Sequence, residues 1–357
     1  MPVCPECLPV EYTMSRRALI IVVSLALVLV VALVAAGPVA AKSSKAKEKA
    51  EHARILKYWT PKRMKNAVPR DFVMTKRGVV PAKKGGGSAK PDKPGGGGGG
   101  GSTPTVTGAP WNEDDAGLHW TGKVFFTLGS TNYVCSGSTV RDGLDSISMV
   151  LTAGHCAYDE TNGRFAEKFM YVPGYDDLAP LSCSTAPAGT CFTAQRLAVR
   201  EEFATAGGFT KQAIQHDWAF AVFDNGVNGN KSFDGEGGES AFLINTDGLA
   251  KYYDTVQSFG YPAAGKYGGQ DLIYCLGPVA ADTNFDTWGL ACDMTGGASG
   301  GGWVAGYSSN GGTLRSVNSY KYNGGPLKNY MFGPDFNAET AATYEAAKSA
   351  KGNTLVN

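Results

Sequence analysis

The chain has 357 residues, 48 of them glycine, and a formal net charge of +1. That length allows two average domains, and no nucleic-acid partner is expected. The balance hides an asymmetry: residues 42–84 hold 14 Lys or Arg against three acids, whereas from Pro104 onward there are 15 basic and 26 acidic residues.

Taken from the start, Cys4 and Cys7 in Cys-Pro-Glu-Cys resemble half of a zinc or redox site, but no second Cys or His pair lies nearby to complete it. Met14 stands just before Ser15-Arg16-Arg17, where a secretory signal would begin, so residues 1–13 read as the product of an upstream start codon. Ala18 to Ala36 is an uncharged apolar stretch, closed by Gly37-Pro38 and the small residues Val39-Ala40-Ala41. A charged start, an apolar middle and small residues at the end make a secretory signal cleaved after Ala41. The alternative is an uncleaved anchor with its N-terminus in the cytoplasm. Both readings export the rest of the chain, to the medium or to the outer face of the membrane.

The basic stretch 42–84 follows. It reads either as a pro-region docking on the acidic part or as a solvated tail near an anionic envelope. Ala46–Trp59 within it has a helical pattern. Gly85–Gly87 and the unbroken run Gly95–Gly101 have no side chains to bury and read as a linker over 85–104. About 250 residues remain beyond it, enough for a substantial core.

Beyond the linker, short runs rich in Val, Ile, Phe and Tyr alternate with Gly, Asn, Asp and Pro clusters. Lys123–Leu128, Tyr133–Val140, Ile147–Ala153, Lys168–Val172, Phe192–Val199 and Asp217–Phe223 come first. Ala241–Ile244, Thr255–Phe259, Leu272–Cys275, Gly302–Ala305 and Arg315–Tyr322 follow. Many short strands between turns predict an all-β sandwich or barrel, not a parallel α/β sheet. One segment differs: Asn337 can cap a helix over Ala338–Lys348.

Six cysteines lie in the exported part: Cys135, Cys156, Cys183, Cys191, Cys275 and Cys292. An even number in an exported chain implies disulfides, of which several connectivities are possible. The simplest pairs neighbours, 135 with 156, 183 with 191 and 275 with 292.

A serine hydroxyl becomes a nucleophile only with a base in reach, a group orienting that base and donors for the developing oxyanion. Of four histidines, His52 lies before the linker, His119 beside Trp120, and His216 before Asp217. His155 ends an apolar run in Thr152-Ala-Gly-His-Cys156, the most specific setting of the four. Ser299 sits in Gly296-Gly-Ala-Ser-Gly-Gly-Gly302, where flanking glycines allow the Gly297 and Ser299 N–H groups to converge as an oxyanion hole, or form only a flexible turn. Asp217 opens the apolar run Asp-Trp-Ala-Phe-Ala-Val-Phe223. A buried acid there needs a partner such as a histidine N–H, unless it merely caps the strand.

These motifs, in the order His, Asp, Ser, resemble the trypsin/chymotrypsin-like serine proteases. Cys292-Asp-Met-Thr-Gly-Gly-Ala-Ser-Gly-Gly301 is most similar to the bacterial V8-like, glutamyl-endopeptidase-like secreted branch. The resemblance covers roughly residues 118–330, and residues 58–73 look like the pro-segment of secreted members. It implies two antiparallel six-stranded β-barrels with the site between them and a serine protease domain over 105–357. It also implies Ser299 attacking a peptide carbonyl, His155 taking the proton and Asp217 orienting His155, in a monomer without metal or organic cofactor.

The departures concern activation and specificity. Ala298 stands where trypsin-like members carry an Asp that receives a new N-terminus, so a pro-region would act by covering the cleft or holding a loop. Asp293 has the register of the acid that binds Lys or Arg in trypsin-like enzymes. Asn318 stands where glutamate-specific members use a histidine. With Thr295, Ser319, Tyr320 and Lys321 these residues form the expected substrate-binding set, Lys321 being either a partner for an acidic side chain or an ordinary surface lysine. An exported, inactive homologue binding peptide or envelope polymer is the rival reading. An α/β-hydrolase would order its residues Ser, Asp, His, which this chain does not.

Overall fold

The computed structural model describes residues 44–75, 78–81, 105–112, 115, 119–175, 181–229, 232–233, 241–248 and 255–357. The apolar stretch Ala18–Ala36, the Cys4 and Cys7 pair and the run Gly95–Gly101 lie outside them. The chain divides into two compact units, Met1–Ala50 and Glu51–Asn357. Residues 44–50 of the first are helical. No helix among the described residues is long and apolar enough to cross a membrane.

The second unit is built on two sheets. Six strands frame the first: Thr121–Leu128, Thr131–Val140, Ile147–Thr152, Glu167–Pro173, Arg196–Arg200 and Ala219–Asp224. Thr121–Leu128 is buried along its whole length, as expected of a strand covered on both faces. Its inner side chains meet the other strands, while Trp59 packs on Phe125 at 5.5 Å between ring centroids. Burial of one such aromatic contributes roughly 1.5–3 kcal/mol. Lys168 takes a positive φ of 49° where the register of Glu167–Pro173 slips against its neighbour, a bulge that the sequence does not announce.

Six more strands frame the second sheet: Thr255–Gly260, Ile273–Asp282, Thr287–Ala291, Gly302–Ser308, Gly311–Val317 and Tyr330–Gly333. Ile273–Asp282 alternates between buried and more exposed positions, the period-two pattern of a strand with one face on the core. Val256, Ile273, Leu290, Trp303 and Met331 form that core. The expected all-β architecture with six-stranded frames is therefore present. Short strands lengthen both frames, so the sheets reach nine and eleven strands.

Several of those additions come from segments outside the frames. Val68–Pro69 pairs in parallel with Tyr133–Val134 of the first sheet. Phe72–Thr75 pairs in parallel with Tyr320–Tyr322 of the second and forms a hairpin with Gly78–Pro81. Thr105–Pro110 adds to Ile273–Asp282.

The helix forms over Ala338–Ser349, with Asn337 accepting from the Glu339 and Thr340 N–H groups and Thr340 Oγ1 accepting from Asn337 N–H. Trp218 Nε1 donates to Thr343 Oγ1, pinning that helix beside the start of Ala219–Asp224. Disulfides join Cys135 to Cys156, Cys183 to Cys191 and Cys275 to Cys292, the nearest-neighbour pairing. Three such bonds are consistent with an oxidising, extracellular setting.

Candidate active site

The strand Ile147–Thr152 is wholly buried and runs through Ala153 into one helical turn, Gly154–Ala157. That turn carries His155. Asp217 precedes the strand Ala219–Asp224, buried except at its last residue, which pairs with Ile147–Thr152. Two adjacent strands thus bring the imidazole and the carboxylate to one edge. Asp217 Oδ2 lies 2.8 Å from His155 Nδ1, and Asp217 Oδ1 accepts the His155 backbone N–H at 2.8 Å. A carboxylate accepts only, so Nδ1 carries the proton and Nε2 is left with a lone pair. Ser319 Oγ–H also donates to Asp217 Oδ2. Three donors therefore satisfy a carboxylate that is fully buried. Gly154 keeps this corner tight: a Cβ at that position would sit 3.1 Å from both Asp217 Oδ1 and the Phe203 ring.

Ser299 is delivered by the loop between Thr287–Ala291 and Gly302–Ser308. Ser136, on the first sheet, holds that loop with both its backbone and its side chain. Ser136 N–H donates to Ser299 O at 2.7 Å and Ser136 Oγ–H to Gly297 O at 2.9 Å. Gly297 has φ +99°, where a Cβ would meet Tyr261 O at 2.8 Å. Gly300 has φ +83° and would clash at 2.1 Å with Thr152 Oγ1. Both glycines are needed for conformation and for close approach.

A third segment enters this cleft. Asp71 Oδ1 accepts from Ser299 Oγ at 2.7 Å and from the Gly297 N–H at 3.3 Å. His155 Nε2 and Asp71 Oδ2 are both buried without a hydrogen-bond partner. Phe72 lies edge-on to the His155 ring at 5.5 Å and stacks on Phe209 at 4.0 Å. Arg70 donates to the carbonyl oxygens of His155 and Tyr158 and to Glu160 Oε2.

No family model matches the sequence, and no curated protein does. Among solved structures, the protease Anisep from Arthrobacter nicotinovorans is 35% identical over 66% of this chain and 98% of its own, with a TM-score of 0.52. The thermostable serine protease AL20 from an extremophilic microorganism is 32% identical over 66% of this chain and 100% of its own, at 0.53. The chain belongs to the chymotrypsin-like serine proteases.

In this serine protease the expected substrate-binding residues divide by what they touch. Asp293 accepts from Gly108 N–H at 2.8 Å, Tyr267 Oη at 2.6 Å and Lys266 Nζ at 2.6 Å. Burial alone would raise its carboxyl, but these three donors outweigh it and hold the group below its ordinary value. A carboxylate so engaged offers little to a substrate lysine. Asn318 is fully buried: Nδ2 donates to Phe259 O and Ala298 O, and Oδ1 accepts from Ser258 Oγ and Trp303 Nε1. Its amide is spent on the floor of the Ser299 loop, with no bonding capacity left for substrate. Ser319 turns to Asp217 as described. Tyr320 is buried, its hydroxyl between Asp282 and Thr287. Thr295 Oγ1 donates to Ala264 O at 2.6 Å.

Lys321 is not an ordinary surface lysine. Its Nζ donates to Cys292 O at 2.9 Å and Met294 O at 2.8 Å. Burial lowers its pKa to about 8, against the attraction of Asp293 and Asp71. Among the described residues, Cys135, His155 and Cys156 are grouped closely enough for a metal, but both cysteines are consumed by their disulfide.

Sequence reasoning placed residues 58–73 in a pro-segment expected to cover the cleft or hold a loop, but gave Asp71, Arg70 and Phe72 no role of their own. Their local signal was one of three acids in a basic stretch, followed by the apolar run Phe72-Val73-Met74.

Proposed function

We propose that the chain is a secreted serine endopeptidase of the V8-like branch, with Ser299 as nucleophile, His155 as general base and Asp217 as its orienting acid. The observation that carries this reading is the double grip of Asp217 on His155, by ring and by backbone, at 2.8 Å each. It fixes the tautomer with Nε2 free to accept a proton and stabilises the imidazolium that results. Ser299 Oγ attacks the carbonyl carbon of a peptide bond while His155 Nε2 takes the hydroxyl proton. The carbonyl oxygen becomes an oxyanion facing the N–H groups of Gly297 and Ser299. The C–N bond then breaks, His155 passes the proton to the departing amine, and water repeats the sequence on the acyl-enzyme. Residues 1–41 act as an export signal, 42–84 as a pro-segment of a zymogen, 85–104 as a linker and 105–357 as the protease domain.

The test is covalent labelling by an active-site fluorophosphonate after the linker has been cut. Wild type should label on Ser299 and hydrolyse peptides, and Ser299→Ala should do neither. Equal labelling of the two would overturn the nucleophile assignment.

A further inference from the structure

We propose that residues 68–75 are a built-in inhibitor whose active group is the Asp71 carboxylate, seated on Ser299 Oγ–H and the Gly297 N–H in place of a substrate carbonyl. This rests on the roles given above to Ser299 and His155 and names how their site is regulated.

Both donors that Asp71 engages belong to the proposed reaction. The Ser299 hydroxyl proton, which should go to His155 Nε2, points instead at Asp71 Oδ1. His155 Nε2 correspondingly has no partner. The Gly297 N–H, expected to meet a developing oxyanion, meets a carboxylate oxygen. Access is closed as well: with Phe72 against it, the His155 side chain has no exposed surface. The strap is held on both sides of the cleft, through Val68–Pro69 on the first sheet and Phe72–Met74 on Tyr320–Tyr322 of the second. Arg70 adds the part-buried ion pair with Glu160 at 2.8 Å. Upstream, Trp59 Nε1 donates to Lys168 O at 2.7 Å, and Tyr58 Oη donates to Asn132 at 2.7 Å.

The chemistry also explains why the strap would survive beside a nucleophile. The acyl group that Ser299 Oγ–H is hydrogen-bonded to is a side-chain carboxylate, not a peptide carbonyl. Attack there would have to expel an oxide or hydroxide from an already electron-rich carbon, so the contact blocks without being consumed. The enzyme side is shaped to this occupant, because a Cβ at Gly296 would lie 2.1 Å from Asp71 Oδ2.

The test uses the full chain with a site for a sequence-specific protease placed inside Gly95–Gly101. Fluorophosphonate labelling of Ser299 is followed in the intact chain and in the chain cut and diluted. It is also followed in intact chains carrying Asp71→Ala, or Arg70→Ala with Phe72→Ala. Two variants of different chemistry guard against one that does not fold. The intact wild type should label at least about tenfold more slowly than the cut chain, and each strap variant at least about tenfold faster than intact wild type. Equal rates for intact and cut wild type would overturn the strap and leave the hydrolase reading standing. Fast labelling of the cut chain with no gain from either variant would overturn the role of Asp71. No labelling in any form would remove the nucleophile assignment, and this inference with it.

Discussion

Replacing Asp217 by Asn separates the orienting role of this carboxylate from mere packing, because the two side chains have nearly the same volume. The carboxylate accepts the His155 N–H on Oδ1, and the His155 Nδ1–H and Ser319 Oγ–H on Oδ2. An amide can present its oxygen to only one of these sides. With oxygen on the Oδ1 side, the backbone bond survives, but the NH2 group faces Nδ1. Nδ1 must then accept, the proton moves to Nε2, and the base is lost. With oxygen on the Oδ2 side, the tautomer survives, but NH2 opposes the His155 backbone N–H at a cost of about 1–3 kcal/mol for an unmade buried bond. The first arrangement is the cheaper, since Ser319 Oγ–H can rotate away. Loss of the correct tautomer lowers turnover by about 10⁴, or ~5.5 kcal/mol of transition-state stabilisation. The assay is kcat/KM of linker-cut Asp217→Asn on a peptide amide across pH 6 to 10, with thermal unfolding as the fold control. A variant that folds and retains activity within about tenfold of wild type would refute the reasoning.

Two further outcomes are expected. Asn318→Ala strips partners from Phe259 O, Ala298 O, Ser258 Oγ and Trp303 Nε1, so unfolding should fall by at least about 3 kcal/mol, together with loss of labelling at Ser299; unchanged melting with an altered KM for acidic peptides would instead make it a substrate reader. Release of the strap should also depend on pH. Burial raises the Asp71 carboxyl, against Ser299 Oγ–H, His155, the Gly297 N–H and Lys321, which pull it down. A group raised on docking favours the docked state when protonated, so that contribution is full below its ordinary value of 3.8 and lost as pH rises through the raised value. Arg70, Asp159 and Glu160 hold the same strap as an ion-paired group and Asp217 stands behind His155, so the comparison must divide out the chemistry itself. The labelling rate of the intact chain relative to the cut chain should therefore climb with pH above the ordinary carboxylate range. A ratio that falls would refute this sign.

Much of the frame was legible because its strands are short, apolar and bounded by turn residues. Ile147–Thr152 and Ala219–Asp224 could be read in place, and so could the helix capped by Asn337. Reading failed where a neighbour decides the outcome. Phe192–Val199 looked continuous but divides into Phe192–Thr193 and Arg196–Arg200, because Ala194 N–H turns to Phe169 O and Gln195 N–H to Val222 O. Thr105–Pro110 carries a glycine and a proline and showed no strand pattern, yet it gains a partner in Ile273–Asp282. The same limit governs the site. His155, Asp217 and Ser299 sit in motifs whose local sequence is itself the signal. Asp293 and Asn318 sat at suggestive positions, but their partners come from Gly108, Lys266, Tyr267, Phe259 and Trp303, which no local pattern connects to them. Asp71 lay in the expected pro-segment, but nothing local singled it out; the register of Phe72–Met74 against Tyr320–Tyr322 is what aims it into the cleft.

Ser136 has a mechanical consequence for how the two halves are held in register. It ties to the Ser299 loop twice, accepts Tyr261 N–H on Oγ and receives Thr152 Oγ–H on its carbonyl, while Cys135 beside it is bonded to Cys156 next to the imidazole. Base and nucleophile thus share one rivet although their loops belong to different sheets. One small side chain and its backbone therefore set the spacing of both reacting groups, so a change at Ser136 reaches the base and the nucleophile together.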